Sequence, residues 1–134
     1  MELIQIENPI EVFYIEASSF PEGVLEAHQK MHALIPFNAE RKSFGISRPE
    51  QGKIVYKVAA QELVEGELSQ YNLPSFSIAA GTYYGLKIAD FRKDISSIQQ
   101  AFDHILSHAP IHPQGYCIEW YQGMNDVMCM VKSK

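Results

Sequence analysis

The chain has 134 residues, of which 46% are hydrophobic and 20% charged, and carries a net charge of −5. That is enough chain for one domain with a core of its own, and the composition is that of an ordinary globular protein rather than a disordered one. Lys and Arg number 11 against 16 Asp and Glu and do not cluster, which argues against direct nucleic-acid binding and against a membrane surface.

The N-terminal stretch carries Glu2 and Glu7 where a secretory signal would carry basic residues, and no apolar run is long enough to span a bilayer. A cytoplasmic protein is expected. Cys117 and Cys129 lie in apolar, strand-like runs and are read as buried thiols or hairpin neighbours. The absence of a Cys-x-x-Cys pair excludes a structural zinc site with cysteine ligands.

In chain order, residues 10–17 are rich in β-formers and predict a first strand. Ser18, Ser19, Pro21 and Glu22 then signal a helix start, and Val24, Leu25, His28, Met31, Leu34 and Ile35 follow at helical spacing until Pro36 stops it. Residues 44–47 and 54–59 read as a hairpin around a turn at 48–52, and the acidic stretch 62–72 as a connection. Residues 75–86 read as one long strand, with Gly81 marking a bulge or a close approach to the backbone. Asp94 or Ser96 is a candidate cap for a second helix, with Ser96 and Gln99 spaced as a capping box, and Ile95, Ile98, Phe102, Ile105 and Leu106 form its apolar stripe. Pro110 and Pro113 end it. Residues 116–121 and 127–131 flank a turn and close the chain as a last hairpin.

Both halves therefore run strand, helix, strand, strand. The fold class expected is α+β in a single domain, residues 1–134. It is built from two β-α-β-β repeats, about 8–62 and 73–132, related by a pseudo-two-fold axis. The helices pack on an antiparallel sheet. A groove between two such units is where a small molecule is expected, lined by aromatic walls and a few orienting polar groups.

One stretch supplies such a polar group. In the run from Tyr116 to Tyr121, strand alternation places Cys117, Glu119 and Tyr121 on one face and Tyr116, Ile118 and Trp120 on the other. Glu119 is either an acid on the wet face of an edge strand or a desolvated carboxylate that needs a cation or hydrogen-bond donors. In the second case a ligand cation is attracted strongly, and aromatic faces add about 0.5 to 2 kcal/mol each.

The run Leu73 to Tyr83 before the second helix, with its Ala-Gly-Thr-Tyr segment, and the run Cys117 to Tyr121, with its Glu-x-Tyr triplet, resemble the GyrI-like effector-binding domain. That family includes the ligand-sensing halves of AraC-type and multidrug-responsive transcription activators. The resemblance covers residues 10–131, with residues 44–46 and 56–59 matching the first hairpin more loosely. It implies a groove that takes up a small hydrophobic, often cationic ligand, with Glu119 as the glutamate that faces it. Tyr121, Trp120 and Tyr83 are the aromatics it suggests beside that glutamate, and Tyr56 and Phe44 complete the candidate ligand-binding set. Because the sequence begins directly with the first strand, it is expected to act as a stand-alone sensor linked to transcription regulation or drug response.

Two other function classes stay open at this point. A hydrolase of reactive small molecules would use Glu119 to activate water and a tyrosine to donate a proton, although no catalytic motif or cofactor fingerprint accompanies them. A protein-interaction module, like a gyrase inhibitor, would present an acidic stretch such as Glu62, Glu65 and Glu67 to a protein partner. The pairs His28/His32 and His104/His108 have the i, i+4 spacing of metal ligands but lack a third ligand. No metal, no cofactor and no catalytic residue is assigned.

Overall fold

A computed structural model describes residues 1–36 and 38–134. Eight strands form one antiparallel sheet: β1 (Glu2–Ile6), β2 (Ile10–Glu16), β3 (Ser43–Glu50), β4 (Lys53–Gln61), β5 (Ser75–Ile78), β6 (Gly81–Ile88), β7 (Cys117–Gln122) and β8 (Asp126–Lys132). Helix α1 (Val24–Leu34) follows β2, and α2 (Ser96–His108) follows β6. Single turns of 3-10 helix occur at Ser69–Tyr71 and Phe91–Lys93. The strand order is β1-β6-β8-β7-β3-β4-β2-β5.

The short links force this sheet to curl. Only Glu7, Asn8 and Pro9 join β1 to β2, and only Ala79 and Ala80 join β5 to β6, yet each pair stands six places apart in the sheet. Six spacings of about 4.8 Å amount to roughly 29 Å in a flat sheet, whereas the longer link reaches about 14 Å when extended. The two ends of the sheet must therefore come round toward each other. The packing agrees: Ile4 and Ile6 of β1 share one hydrophobic cluster with Phe76 and Ile78 of β5, at the opposite end of the sheet. That cluster, with Val12, Phe44, Ile46, Tyr83, Ile118 and Met130, fills the inside of the curl.

The helices cover the outside. Helix α1 packs on β2 and β4 through Ala27 and Met31, with Tyr56, Val58 and Ala60 beneath. Helix α2 packs on β6 and β8 through Ala101, Phe102 and Ile105, over Val127, Cys129 and Val131. The middle strands, β7 and β3, lie between these two covered regions.

Several expectations need correction. Residues 2–6 form a strand that the sequence reading left out; their pattern is short and mostly exposed, but β1 finds five partners on β6. The single strand expected over 75–86 is two, broken at Ala79–Ala80. Gly81 has φ +137°, a conformation side-chain-bearing residues avoid, and β5 pairs with β2 while β6 pairs with β1 and β8. The first hairpin is tighter than expected, because Arg48, Pro49 and Glu50 continue β3 and the turn is Gln51–Gly52. Leu25, Leu34, Ile95 and Leu106, assigned to apolar stripes, are exposed, and Ala27 and Ala101 take buried places instead. Neither Asp94 nor Ser96 caps α2 by a side chain; Ser96 donates to Asp94 Oδ1 at 2.5 Å and Gln99 donates to Asp103.

Candidate functional site

The floor of the strip between the helices is the β3–β7 pair, where Gly45 stands directly opposite Glu119. Strand alternation turns Glu119 to the helix side, with Cys117 and Tyr121 on its own strand and Cys129 opposite it on β8. The side chain is buried, 8% exposed. Tyr56 of β4 reaches over Gly45 and donates its hydroxyl to Glu119 Oε1 at 3.0 Å, and Tyr121 donates to the same oxygen in a short hydrogen bond. The two hydroxyl oxygens are 3.2 Å apart, and His28 Nε2 of α1 lies 3.2 Å from Tyr56 Oη.

Counting protons fixes how this chain runs. Each tyrosine has one proton, and both are committed to Glu119, so Tyr56 Oη can only accept from His28. Neutral His28 then carries its proton on Nε2, a tautomer assigned from the network. Burial pushes the Glu119 carboxyl above its usual range, while the two tyrosine hydrogen bonds pull it back. Burial, then the charge of Glu119, pushes both tyrosine hydroxyls well above theirs, so they stay protonated donors. Burial, then the electrostatic influence of the neighbouring His32 and Arg92, lowers His28 to about 4, which keeps it neutral at neutral pH.

Glu119 thus uses one oxygen twice. Oε2 takes no hydrogen bond, and it is not a sealed orphan, because Arg41 Nε is the sole buried side-chain polar atom without a partner among the described residues. One carboxylate oxygen is held rigidly, and the other is free to meet a donor or a cation. Around it stand rings: His28 meets Tyr121 edge-on at 5.5 Å, Phe20 stacks on Tyr56 at 5.8 Å, and Phe91 leans on Tyr121 at 5.7 Å. The Arg92 guanidinium lies over the Phe91 ring at 5.1 Å.

The six sequence candidates separate into two groups. Glu119, Tyr121 and Tyr56 come together on the helix side. Phe44, Tyr83 and Trp120 lie inside the curl: Trp120 packs against Phe44 with Lys42 over its ring, and Tyr83 donates to Ala79 O at 2.6 Å, fastening the break between β5 and β6. Four residues of the site escaped the sequence reading. His28 was noticed only as a metal candidate, although its place in the apolar spacing of α1 already aimed it at the sheet. Phe20 lies in an irregular segment and Phe91 in a single 3-10 turn, neither long enough for a periodicity to orient it. Gly45 carries no pattern at all, and only the cross-strand register reveals it.

Neither thiol is reactive: burial pushes Cys117 to about 11 and Cys129 to about 12. Among the described residues no cluster of three or more His, Cys, Asp or Glu is arranged to hold a metal. A cavity of about 270 Å³ is lined by Arg41, Glu67 and Tyr71 among others, and one of about 330 Å³ by Arg48, Glu50 and Gln114 among others. Glu119 lines neither. The rings of Phe20, His28, Tyr56, Phe91 and Tyr121 pack against one another on the helix side around Glu119. Among the described residues no helix is long and apolar enough to cross a membrane.

No protein-family model matches the chain, and no curated protein does. Several solved structures share its fold, among them two that cover nearly the whole chain. An integron cassette protein from the mobile metagenome of Vibrio cholerae, VCH_CASS2, superposes with a TM-score of 0.67 at 11% identity, over 99% of this chain and 95% of its own. SAV2435, solved bound to tetraphenylphosphonium, superposes with a TM-score of 0.64 at 14% identity, over 98% of this chain and 93% of its own. The chain is thus an α+β protein whose curled antiparallel sheet, with two helices outside, recurs along nearly the full length of both.

Proposed function

We propose that this chain is an effector-binding domain that takes a bulky hydrophobic cation between its two helices, with Glu119 as the counter-charge. The observation that carries the reading is the state of that carboxylate. It is buried and gripped through Oε1 by two tyrosines, while Oε2 is left without a partner among aromatic rings. An ionised acid in such surroundings is poorly solvated, and a cation that brings its own apolar shell restores what burial removed. Aromatic walls favour the same ligand, since ring faces attract cations. That SAV2435 shares the fold and was solved with tetraphenylphosphonium supports the class of ligand, by analogy of fold alone.

In this reading the ligand enters by displacing the outer rings Phe20 and Phe91 and takes up the strip above Glu119, while Tyr56 and Tyr121 keep their grip on Oε1. Of the sequence candidates, Glu119, Tyr56 and Tyr121 contact it, whereas Phe44, Tyr83 and Trp120 shape the sheet from its other side. The domain is a duplicated scaffold in which each half runs β-β-α-β-β, one strand more than the β-α-β-β unit expected from the sequence, consistent with a strand order that reads the same from its other end when β1–β4 are exchanged with β5–β8. The site then falls on the pseudo-two-fold axis. A role in transcription regulation or drug response follows if a protein partner reads the bound state.

Calorimetric titration with tetraphenylphosphonium tests the proposal, with triphenylphosphine oxide as a neutral ligand of similar shape. The cation should bind saturably and the neutral compound at least about tenfold more weakly, and Glu119→Gln should remove the difference while leaving the fold intact. Equal binding of the cation by the wild type and by Glu119→Gln would end the assignment.

A further inference from the structure

The inner side of the curled sheet ends at one rim in a cluster that the groove does not use. Lys57 of β4 is 7% exposed, one of two buried charged residues among those described, the other being Glu119. Its Nζ lies 5.2 Å from the centre of the Tyr14 ring, 5.7 Å from that of Phe76 and 5.6 Å from that of Tyr116. Glu16 stands opposite it on β2 but is exposed, and the ion pairs among the described residues do not include Lys57. The ammonium is surrounded by rings and reaches solvent only at its tip, since Nζ is not among the sealed polar atoms.

A second cation touches the same ring. Arg48 of β3 stacks on Tyr116 at 4.3 Å and donates to Gln114 O at 3.3 Å, with Glu50 at 3.7 Å. Arg48 also lines the cavity of about 330 Å³ that it shares with Pro49, Glu50, Pro113 and Gln114. Ring faces balance the charge of an ammonium but accept its hydrogen bonds weakly. The three N–H groups of Lys57 therefore remain available, and the hydroxyls of Tyr14 and Tyr116 belong to the same rim. Glu16 and Glu50 balance the two cations in number, but among the described residues no carboxylate is in ion-pair contact with the buried Lys57 ammonium. What Lys57 Nζ lacks is an anionic acceptor, and the rings offer a flat apolar body a wall to lie on.

We propose that this rim is a second binding site, selective for a small aromatic carboxylate, with Lys57 as the anchoring cation and Tyr14, Phe76 and Tyr116 as the wall. The site is independent of the groove, lying on the opposite side of the sheet from Glu119. The mouths of curled and closed sheets are recurrent places for such ligands.

The test is calorimetric titration of the full chain with 2-naphthoate and with its neutral counterpart 2-naphthamide. The acid should bind saturably and about tenfold or more tightly than the amide. Lys57→Met, which keeps the length of the side chain, should abolish that preference, and Tyr116→Phe, which keeps the ring, should weaken the acid about threefold. Glu119→Gln should change neither ligand's affinity, so loss of the cation site and loss of this one are told apart. Equal affinity for acid and amide in the wild type, or no saturable binding of the acid, overturns the proposal. So does a folded Lys57→Met that still prefers the acid. If Lys57→Met does not fold, the wild-type comparison and Tyr116→Phe decide the matter.

Discussion

Gly45 and Tyr56 occupy each other's space: a β-carbon on Gly45 would stand 2.8 Å from Tyr56 Cζ, closer still to its hydroxyl, and 3.1 Å from Glu119 Oε1. The absence of a side chain on β3 is what lets the phenol lie flat over the strand and reach the carboxylate. Gly45→Ala therefore has to move Tyr56, and it should destabilise the protein by about 1–3 kcal/mol in urea unfolding, as overpacking does. Tyr56→Ser removes the obstructing ring, so the double variant should lose less stability than the two single changes added together. Strict additivity would mean that the clash is relieved elsewhere.

Glu119 makes its own contribution to stability, and its sign is adverse at alkaline pH. Burial raises its carboxyl in the folded state, so ionising it costs stability as pH rises from the unfolded range through the folded one. Glu119→Gln retains an acceptor oxygen for both tyrosines and has no charge to desolvate. The ligand-free variant should melt at a higher temperature than the wild type at pH 8, with the gap closing toward acid pH. A melting temperature lower than the wild type's at pH 8 would mean that the ionised form is well solvated after all.

His28 titrates in the opposite sense. Its folded value of about 4 lies below its ordinary 6.5, so the folded state resists protonation, and stability is lost as pH falls from about 6.5 toward 4. The loss is at most about 3 kcal/mol, less to the extent that water reaches the half-buried ring. His28→Gln should flatten the stability profile across that window in denaturant titrations at stepped pH. A profile unchanged by the substitution would place the ring in solvent.

A further acid-sensitive contact lies lower on the pH scale. Arg41 donates to both oxygens of Glu67, at 2.9 and 3.2 Å, and with the Leu63 amide holds that carboxyl down at about 2. Stability from this pair is present above the unfolded carboxylate range and is lost as pH falls through it toward 2. Glu67→Gln should remove that component and leave the step belonging to His28, so the two variants separate two acid windows in one set of melts.

Helices α1 and α2 are legible in the sequence because one face is buried and the other wet, whereas β4 and β8, buried on both faces, show as continuous apolar runs. Strand parity alone puts Glu119 and Tyr121 on one side of β7 and Trp120 on the other. Strand β1 and the break at Ala79–Ala80 were not legible, because both are fixed by pairing between distant segments, Glu2 with Gly85 and Ile10 with Ile78, rather than by local preference. The same limit applies to the site. Glu119 stood out as a lone acid among aromatics, but whether Tyr56 or Tyr83 would join it depended on which side of the curl each strand presents. Lys57 looked like an ordinary strand lysine until the curl wrapped three rings around it.

The exchange of outer strands has a consequence for how the polypeptide reaches this state. Strand β1 pairs with β6, some eighty residues later in the chain, and β5 returns to pair with β2. A nascent chain ending near Gln61 has β2, β3 and β4 in hand but neither the neighbour of β1 nor the cover for the outer edge of β2, so its assembly waits for β5 and β6. Severed in the 62–72 connection, the protein should behave as two fragments that gain stable structure only when mixed.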